Sequence, residues 1–110
     1  MIIAIDFDGT LCKNEYPRIG GANMALIDHL AIRRENGDTL ILWTCRSGQL
    51  LVNALAWCES YGLRFDFVNE NVPEVVERYG DSRKIYADLY IDDKSCLPDA
   101  LVTRKRRYRG

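Results

Sequence analysis

Four short apolar runs, separated by longer segments with helical spacing, set the pattern of the sequence. Apolar runs of roughly four to eight residues are typical of strands buried on both faces, and such strands belong to parallel sheets flanked by helices. The predicted strands cover residues 2–5, 39–43, 65–68 and 89–91.

Apolar residues recur at helical spacing between these runs. Helices are expected over 23–36, 47–62 and 71–80, the last with a capping-box pattern at Asn71 and Glu74. Strands that alternate with helices over short connections predict an α/β three-layer sandwich with a mostly parallel, Rossmann-like sheet and right-handed crossovers. In such sheets a ligand site lies at the carboxyl ends of the strands, where the strand order reverses.

Composition limits the chain to one domain with a charged tail. With 110 residues, of which 47% are hydrophobic, the sequence can build one core, which we assign to residues 1–103. The formal net charge of -1 hides an asymmetry, because residues 1–103 hold ten bases and sixteen acids whereas 104–110 hold five bases. The tail is expected to be either a solvated end or a contact for nucleic acid.

The sequence carries no sign of export or membrane insertion. No run reaches the roughly 18 to 20 apolar residues that a membrane-spanning helix needs, and the first residues lack the pattern of a signal peptide. The cysteines are too widely spaced for a zinc site and do not form a dense disulfide framework; they are Cys12, Cys45, Cys58 and Cys96. We therefore expect a cytoplasmic protein with reduced thiols and no membrane partner.

Polar residues with candidate chemistry follow the apolar runs that end at Ile5, Trp43 and Ile91. Because the carboxyl ends of parallel strands meet at one edge of a sheet, these residues are expected to lie together. Crowded carboxylates repel one another, and a hard divalent cation resolves the repulsion. We therefore predict a Mg²⁺ site whose candidate ligands are Asp6, the main-chain carbonyl of Asp8, and Asp92. Asp93 is a further candidate, which would bind the metal, orient its waters or cap the following turn.

The same edge suits phosphoryl transfer. Asp6, at the strand end, is placed to attack phosphorus and form an aspartyl phosphate. Asp8, two residues further on, is placed to protonate the leaving oxygen and then to activate water. The Thr44 hydroxyl, the amides around Gly9 and a lysine ammonium would hold the phosphate oxygens. Arg46 would either bind phosphate through its planar fork or form a surface ion pair.

This constellation resembles the haloacid dehalogenase superfamily of phosphohydrolases. The resemblance rests on Ile-Asp-Phe-Asp-Gly-Thr at residues 5–10, on Thr44 and Lys84, and on Tyr-Ile-Asp-Asp at residues 90–93, which occur in the family's order. It implies the family's fold and Mg²⁺-dependent phosphatase activity. The implied roles are Asp6 as nucleophile, Asp8 as acid and base, Thr44 and Lys84 as phosphate holders, and Asp92 and Asp93 as acids on the magnesium side.

The lysine departs from the family's spacing. Only eight positions separate Lys84 from Asp92. If all the residues between them were strand, Lys84 would lie at the wrong end of the sheet. The chain is therefore expected to double back near Ala87 and Asp88. If it does not, Lys94 is the better candidate for the ammonium.

The sequence also predicts a minimal, capless member, because residues 11–22 are too few for a folded cap domain. The expected substrate is a phosphorylated small molecule or a nucleotide, with a nucleic-acid end and an oligomeric state left open. The alternative is a receiver-like signalling module that holds phosphate on an aspartate without turnover. A receiver carries its phosphoacceptor after the third strand, where this sequence has Asn69.

Other residues near these motifs have simpler expected roles. Asn69 and Asn71 are expected to cap a helix rather than to face the substrate. Trp43 and Trp57 match the apolar faces of a strand and a helix, so we expect them to pack in or beside the core.

Overall fold

Strands and helices alternate along most of the chain, as the apolar pattern predicts. The computed structural model describes residues 1–79 and 85–92. In chain order its elements are β1 (Ile2–Ile5), β2 (Cys12–Glu15), β3 (Arg18–Ala22), α1 (Met24–Glu35), β4 (Thr39–Leu42), α2 (Gly48–Ser60), β5 (Phe67–Val68), α3 (Pro73–Tyr79) and β6 (Leu89–Ile91).

The central sheet is parallel and has the strand order β5-β4-β1-β6. Counted along the chain among these four strands, the order is 3-2-1-4, which is the order of Rossmann-like sheets. The predicted α/β class with a Rossmann-like sheet is therefore confirmed. The strand order reverses between β1 and β6, so the carboxyl ends of these two strands mark the expected ligand site.

Alternate side chains cover the two faces of the sheet. The face that packs against α1 and α2 is called the helix face, and its members include Ile3, Ile5, Leu40, Leu42, Leu89 and Ile91. The opposite face is called the far face, and its buried members are Ala4 and Ile41, which pack against Ile85 and Ala87. Residues 85–87, together with Val72 just before α3, supply the third layer in the part of the chain that the structure describes.

Local hydrogen bonds set the ends of the helices. α1 begins after Asn23, whose Oδ1 accepts the N–H of Leu26 at 3.4 Å. Gly37 and Gly62 follow α1 and α2, close to the ends that the sequence predicts. Among residues 1–79 and 85–92, no helix combines the length and the apolar character needed to cross a membrane.

β5 is shorter than the predicted strand 65–68, and Asp66, just before it, pairs with Leu40 through both its backbone N–H and its carboxylate. Its Oδ2 accepts the N–H of Leu40 at 2.8 Å, so a carboxylate takes the place of a backbone carbonyl in the ladder. Arg34 of α1 donates to the other oxygen at 2.9 Å. Burial favours a higher pKa for Asp66, but the hydrogen bonds from Arg34 and Leu40 outweigh it and lower the pKa below its ordinary value.

An antiparallel hairpin, β2 and β3, occupies the segment that the sequence pattern leaves as a polar loop. Its tip is Tyr16–Pro17, which are joined by a cis peptide bond. The strands approach closely at Gly20, where a Cβ atom would lie 2.2 Å from the carbonyl oxygen of Lys13. The hairpin is too small to be a folded cap domain, so the expectation of a capless fold is confirmed.

Asp38 anchors the start of β4. Its Oδ1 accepts from the N-terminal ammonium of Met1 at 3.1 Å, and its Oδ2 accepts from Nε of Arg33. Burial alone would raise the pKa of Asp38. The hydrogen bonds from Arg33 and from the ammonium outweigh burial and hold the pKa below its ordinary value.

Asp38→Asn is expected to lower the free energy of unfolding at pH 7 by about 1.5–3 kcal/mol, because hydrogen bonds to a charged group are lost. The folded-state pKa of Asp38 lies below its unfolded value, so its contribution is present above about pH 4 and is lost as the pH falls through the folded-state pKa. Urea unfolding at several pH values should therefore show wild type and variant converging below about pH 4. Asp28→Asn, on the exposed side of α1, is the matched control. A wild-type advantage that stays constant down to about pH 2 would contradict this account.

Candidate active site

Two aspartates lie side by side where the strand order reverses. Asp6 follows β1, and its N–H donates to the carbonyl of Ile91 in β6 at 2.9 Å. The register pairs Ile5 with Ile91, so Asp6 and Asp92 are the next pair along these strands. Phe7 is buried on the helix face, so Asp6 points to the side of the far face, and its Oδ1 accepts the N–H of Phe7 at 2.8 Å. Because neighbouring strands lie about 4.8 Å apart, the two predicted acids are close neighbours.

Asp8 is held by Arg46 in a two-pronged ion pair. Nη2 of Arg46 donates to Oδ1 of Asp8 at 2.7 Å, and Nε donates to Oδ2 at 2.9 Å. The side chain of Arg46 is only 1% exposed and that of Asp8 is 19% exposed. The hydrogen bond to Asp8 raises the pKa of Arg46 above its ordinary value even though burial opposes the charge. The planar fork matches the carboxylate, which makes this a strong and directional contact.

Arg46 also ties the hairpin to the sheet. Its Nη1 donates to the carbonyl of Pro17 at 3.1 Å, and its Nη2 donates to the carbonyl of Arg18 at 3.0 Å. Of the two roles expected for Arg46, the structure shows the ion pair, which is buried and not at the surface. Its fork is occupied by Asp8 in this arrangement, and phosphate binding by Arg46 stays a prediction. The guanidinium also lies over two aromatic rings, those of Phe7 at 5.0 Å and Tyr16 at 5.1 Å.

The loop after Asp8 turns sharply through Gly9, which has a φ of +83°. Glycine adopts this conformation without the steric cost that a side chain would add. The N–H of Gly9 donates to the carbonyl of Cys12 at 2.9 Å, and those of Thr10 and Leu11 donate to the carbonyl of Phe7. These amides therefore close the turn. The N–H of Gly9 is thus engaged within the turn, and the expectation that amides around Gly9 hold phosphate stays a prediction.

Thr44 follows β4 and is positioned by a residue whose role the sequence analysis missed. Oδ1 of Asn69 accepts the N–H of Thr44 at 2.8 Å, and Oγ1 of Thr44 accepts the N–H of Arg46 at 3.1 Å. Asn69 has a φ of +54°, a left-handed conformation that asparagine tolerates better than most residues. The sequence signal for this role was the position of Asn69 directly after a strand, at the carboxyl edge of the sheet. Asn69 thus links β5 to Thr44 and does not cap a helix.

The chain doubles back before β6, as the spacing of the lysine requires. The hydroxyl of Tyr90 donates to the carbonyl of Ile85 and accepts the N–H of Ala87 at 3.0 Å, so residues 85–87 lie over the far face. Oδ1 of Asn71, which was expected to cap α3, accepts the N–H of Tyr86 at 2.6 Å and holds this segment. The other predicted members of the site, Lys84, Asp93 and Lys94, lie outside the described residues.

The donor set fits the chemistry of Mg²⁺. Within residues 1–79 and 85–92, no group of three or more His, Cys, Asp and Glu side chains is arranged to hold a metal ion. The predicted set needs only two described carboxylates, Asp6 and Asp92, together with the main-chain carbonyl of Asp8. The side chain of Asp8 is turned to Arg46, which is consistent with a ligand role for its main chain alone. Carboxylate and carbonyl oxygens are the hard donors that Mg²⁺ prefers.

Comparison with known proteins adds one relative. No protein-family model matches the chain, and no curated protein does so at a significant level. A solved structure of a conserved protein from Bacteroides thetaiotaomicron matches with a TM-score of 0.81 and 40% sequence identity, over 99% of this chain and 90% of that one. The chain belongs to the family of this Bacteroides protein. The match covers both strands that carry Asp6 and Asp92, so the family shares this fold across nearly the whole chain.

Arg46→Ala is expected to lower the free energy of unfolding by about 3–5 kcal/mol, because it leaves a largely buried carboxylate and two hairpin carbonyls without their partner. Arg46→Lys keeps the charge but loses the fork, so its cost should be smaller. Urea unfolding followed by circular dichroism measures both.

Arg64→Ala is the matched control for the Arg46 variants. Arg64 pairs with Glu59 at 3.0 Å, but both side chains are more than half exposed. An exposed pair contributes at most about 1 kcal/mol, so this change should be nearly neutral. If Arg46→Ala were no more costly than Arg64→Ala, the link between Asp8 and the hairpin would not carry the stability assigned to it.

Proposed function

We propose that the protein is a Mg²⁺-dependent phosphomonoester hydrolase that forms an aspartyl phosphate on Asp6. The observation that carries the proposal is the pair Asp6 and Asp92 at the point of strand-order reversal, with Asp8 two residues further on. Ligand sites of open α/β sheets lie at this point. The resemblance to haloacid dehalogenase phosphohydrolases supports the same reaction, since its first motif, residues 5–10, occupies this edge.

Asp6 is the proposed nucleophile. One of its carboxylate oxygens forms a bond to phosphorus while the bond from phosphorus to the leaving oxygen breaks. Asp8, after it has turned from Arg46 and taken up a proton from solvent, gives that proton to the leaving oxygen. Water then attacks the aspartyl phosphate, Asp8 takes a proton from the water, and inorganic phosphate leaves with Asp6 restored. When bound, Mg²⁺ would be held by Asp6, the main-chain carbonyl of Asp8 and Asp92, with Asp93 as a further candidate, and would neutralise charge on the phosphate oxygens.

Asp8 has to move to perform its part. Both of its oxygens accept from Arg46, so at least one must turn toward the leaving oxygen during proton transfer. Arg46 keeps the carbonyls of Pro17 and Arg18 as partners during such a turn. The contacts between Arg46 and the hairpin therefore do not have to break while Asp8 turns.

The phosphate holders are proposed from what each group can still donate. Oγ1 of Thr44 uses a lone pair to accept the N–H of Arg46, so its hydroxyl hydrogen is available for a phosphate oxygen. Lys84 is the proposed ammonium, with Lys94 as the alternative. Lys84 would lie at the wrong end of the sheet only if residues 85–91 formed one continuous strand. Residues 85–87 instead lie over the far face, which supports Lys84 as the ammonium.

A receiver-like module is the alternative function, and the strand order argues against it. Receiver-type sheets have the order 2-1-3-4-5, in which the first strand lies between the second and the third. Here β1 lies between β4 and β6, the second and fourth strands of the parallel sheet. The position after the third strand holds Asn69, whose side chain is bound to Thr44. Both observations favour the hydrolase.

The open edge favours a substrate that no cap has to enclose. In the part of the chain that the structure describes, the hairpin is the only structured segment between the first motif and α1. A phosphorylated small molecule or a nucleotide is the proposed substrate class. The tail, 104–110, lies outside the described residues, so binding of a nucleic-acid end stays a prediction, as do a cytoplasmic location and an oligomeric state.

The test is release of inorganic phosphate from a panel of phosphomonoesters, with Mg²⁺ and with EDTA. We expect Mg²⁺-dependent turnover by wild type and no measurable release by Asp6→Asn, because an amide oxygen is a poor nucleophile. Asp8→Asn should reduce turnover by about 10²–10⁴-fold, the usual contribution of a general acid or base.

Asp28→Asn makes the same chemical change on the exposed surface of α1 and should keep full activity. Unchanged turnover by Asp6→Asn would refute the proposed mechanism. Stoichiometric labelling of wild type by a small phosphodonor, with no turnover of any ester, would instead support the receiver-like module.

A further inference from the structure

Trp43 lies beside Asp6 at the carboxyl edge of the sheet. It directly follows β4, and its N–H donates to the carbonyl of Ile5 at 2.8 Å. This continues the pairing of Ile5 with Leu42 and brings Trp43 level with Asp6 on the neighbouring strand. The Trp43 ring contacts the ring of Tyr90, a residue of the far face, with centroids 6.4 Å apart. Asp6 points to the same side, so the indole and the proposed nucleophile share one side of the sheet edge.

Tyr90 holds the indole of Trp43 in place. The Tyr90 hydroxyl donates to the carbonyl of Ile85 and accepts the N–H of Ala87, at the two ends of the segment 85–87 that covers the far face. Trp43 is nevertheless 47% exposed. The expectation that it packs in or beside the core is therefore met along one edge, while much of the ring meets solvent. A large aromatic surface held this way loses little conformational freedom when it binds a second ring.

Other aromatic rings near the acids are engaged elsewhere. Tyr16 lies over the guanidinium of Arg46 at 5.1 Å, and Trp57 packs against Phe7 at 5.6 Å. Among the described residues, Trp43 is an exposed ring that lies level with Asp6 on the neighbouring strand.

We propose that Trp43 is a stacking platform for the base of a nucleoside monophosphate, which makes nucleotides the preferred substrates. The inference rests on the proposed function, because it takes phosphorus to bind at Asp6. A planar base offers the surface that an exposed indole stacks on, whereas a sugar phosphate or an aliphatic phosphate offers none.

The geometry of attack favours a base over a simple aryl group. In phosphoryl transfer the attacking and leaving oxygens lie roughly in line, so the leaving oxygen is on the side of phosphorus away from Asp6. A ring bonded directly to that oxygen points away from the strand ends. A base separated from the oxygen by a ribose can fold back to the level of Trp43, which stands next to Asp6.

The test compares adenosine 5′-monophosphate with ribose 5-phosphate, which carries the same phosphate and sugar but no base. Isothermal titration calorimetry with Asp6→Asn and Mg²⁺ measures binding without turnover. Stacking on an aromatic side chain should make the nucleotide bind about 5- to 150-fold more tightly than ribose 5-phosphate. Adding Trp43→Leu should reduce this ratio to about one, and Trp43→Phe should retain part of it. The ratio of kcat/KM for the two esters should change in the same way in proteins that keep Asp6.

Tyr61→Leu is the matched control. Tyr61 is an exposed aromatic residue that directly follows α2, at the opposite end of that helix from Arg46 and Thr44. Its loss should leave the binding ratio unchanged. Circular dichroism of each variant shows whether the fold is retained, and Trp43→Phe supplies a second variant if Trp43→Leu does not fold.

The two proposals fail in different ways. Turnover of phosphomonoesters with no preference for the nucleotide, or with a preference that Trp43→Leu leaves intact, would overturn the stacking role and leave the hydrolase standing. Nucleotide binding that depends on Trp43, with no turnover of any ester, would support stacking and overturn the hydrolase. Tighter binding of phenyl phosphate than of the nucleotide, lost in Trp43→Leu, would overturn the assignment of a base.

Discussion

The buried guanidinium of Arg46 is the contact on which the site depends. A cation that is 1% exposed is costly unless its donors are satisfied, and here one carboxylate and two backbone carbonyls satisfy them. Those partners come from Asp8 and from the tip of the hairpin. Because Arg46 itself follows β4, one side chain joins the first motif, the second strand of the parallel sheet and the segment that flanks the site.

This arrangement explains how a short chain without a cap domain holds a hairpin in place beside the candidate site. β2 buries Cys12 but exposes its other three residues, so it contributes little apolar surface to the core. The hairpin is also fastened to Arg46 through the backbone carbonyls of Pro17 and Arg18. Polar contacts of fixed geometry thus add to the apolar contacts that Cys12, Ile19 and Ala22 of the hairpin make with the core.

The parts of the fold that follow from burial on both faces could be predicted from the sequence. β1 and β6 match their apolar runs, and β4 differs by one residue, because a strand inside a parallel sheet leaves a continuous apolar signature. The hairpin leaves no such signature, because its two strands contain few apolar residues and most of their side chains are exposed or half-buried. A local sequence pattern also could not predict the burial of Arg46, because its partner Asp8 lies 38 positions away in the sequence. Asn69 was misassigned for the same reason, since capping is judged from neighbours in sequence and its partner Thr44 lies 25 positions away.

Asp6 and Asp8 show why the first motif serves two roles. The residues are two apart, and an extended backbone would point both carboxylates the same way. Asp6 is still within the ladder, bound to β6 through its N–H, whereas the chain beyond it turns at Gly9 and delivers Asp8 to Arg46. One acid therefore stands beside Asp92 at the strand ends, and the other is held by a cation on the side of the hairpin. The proposed nucleophile is thus placed at the strand ends, whereas the proposed proton donor is the partner of Arg46 and has to turn from it and take up a proton before it can act.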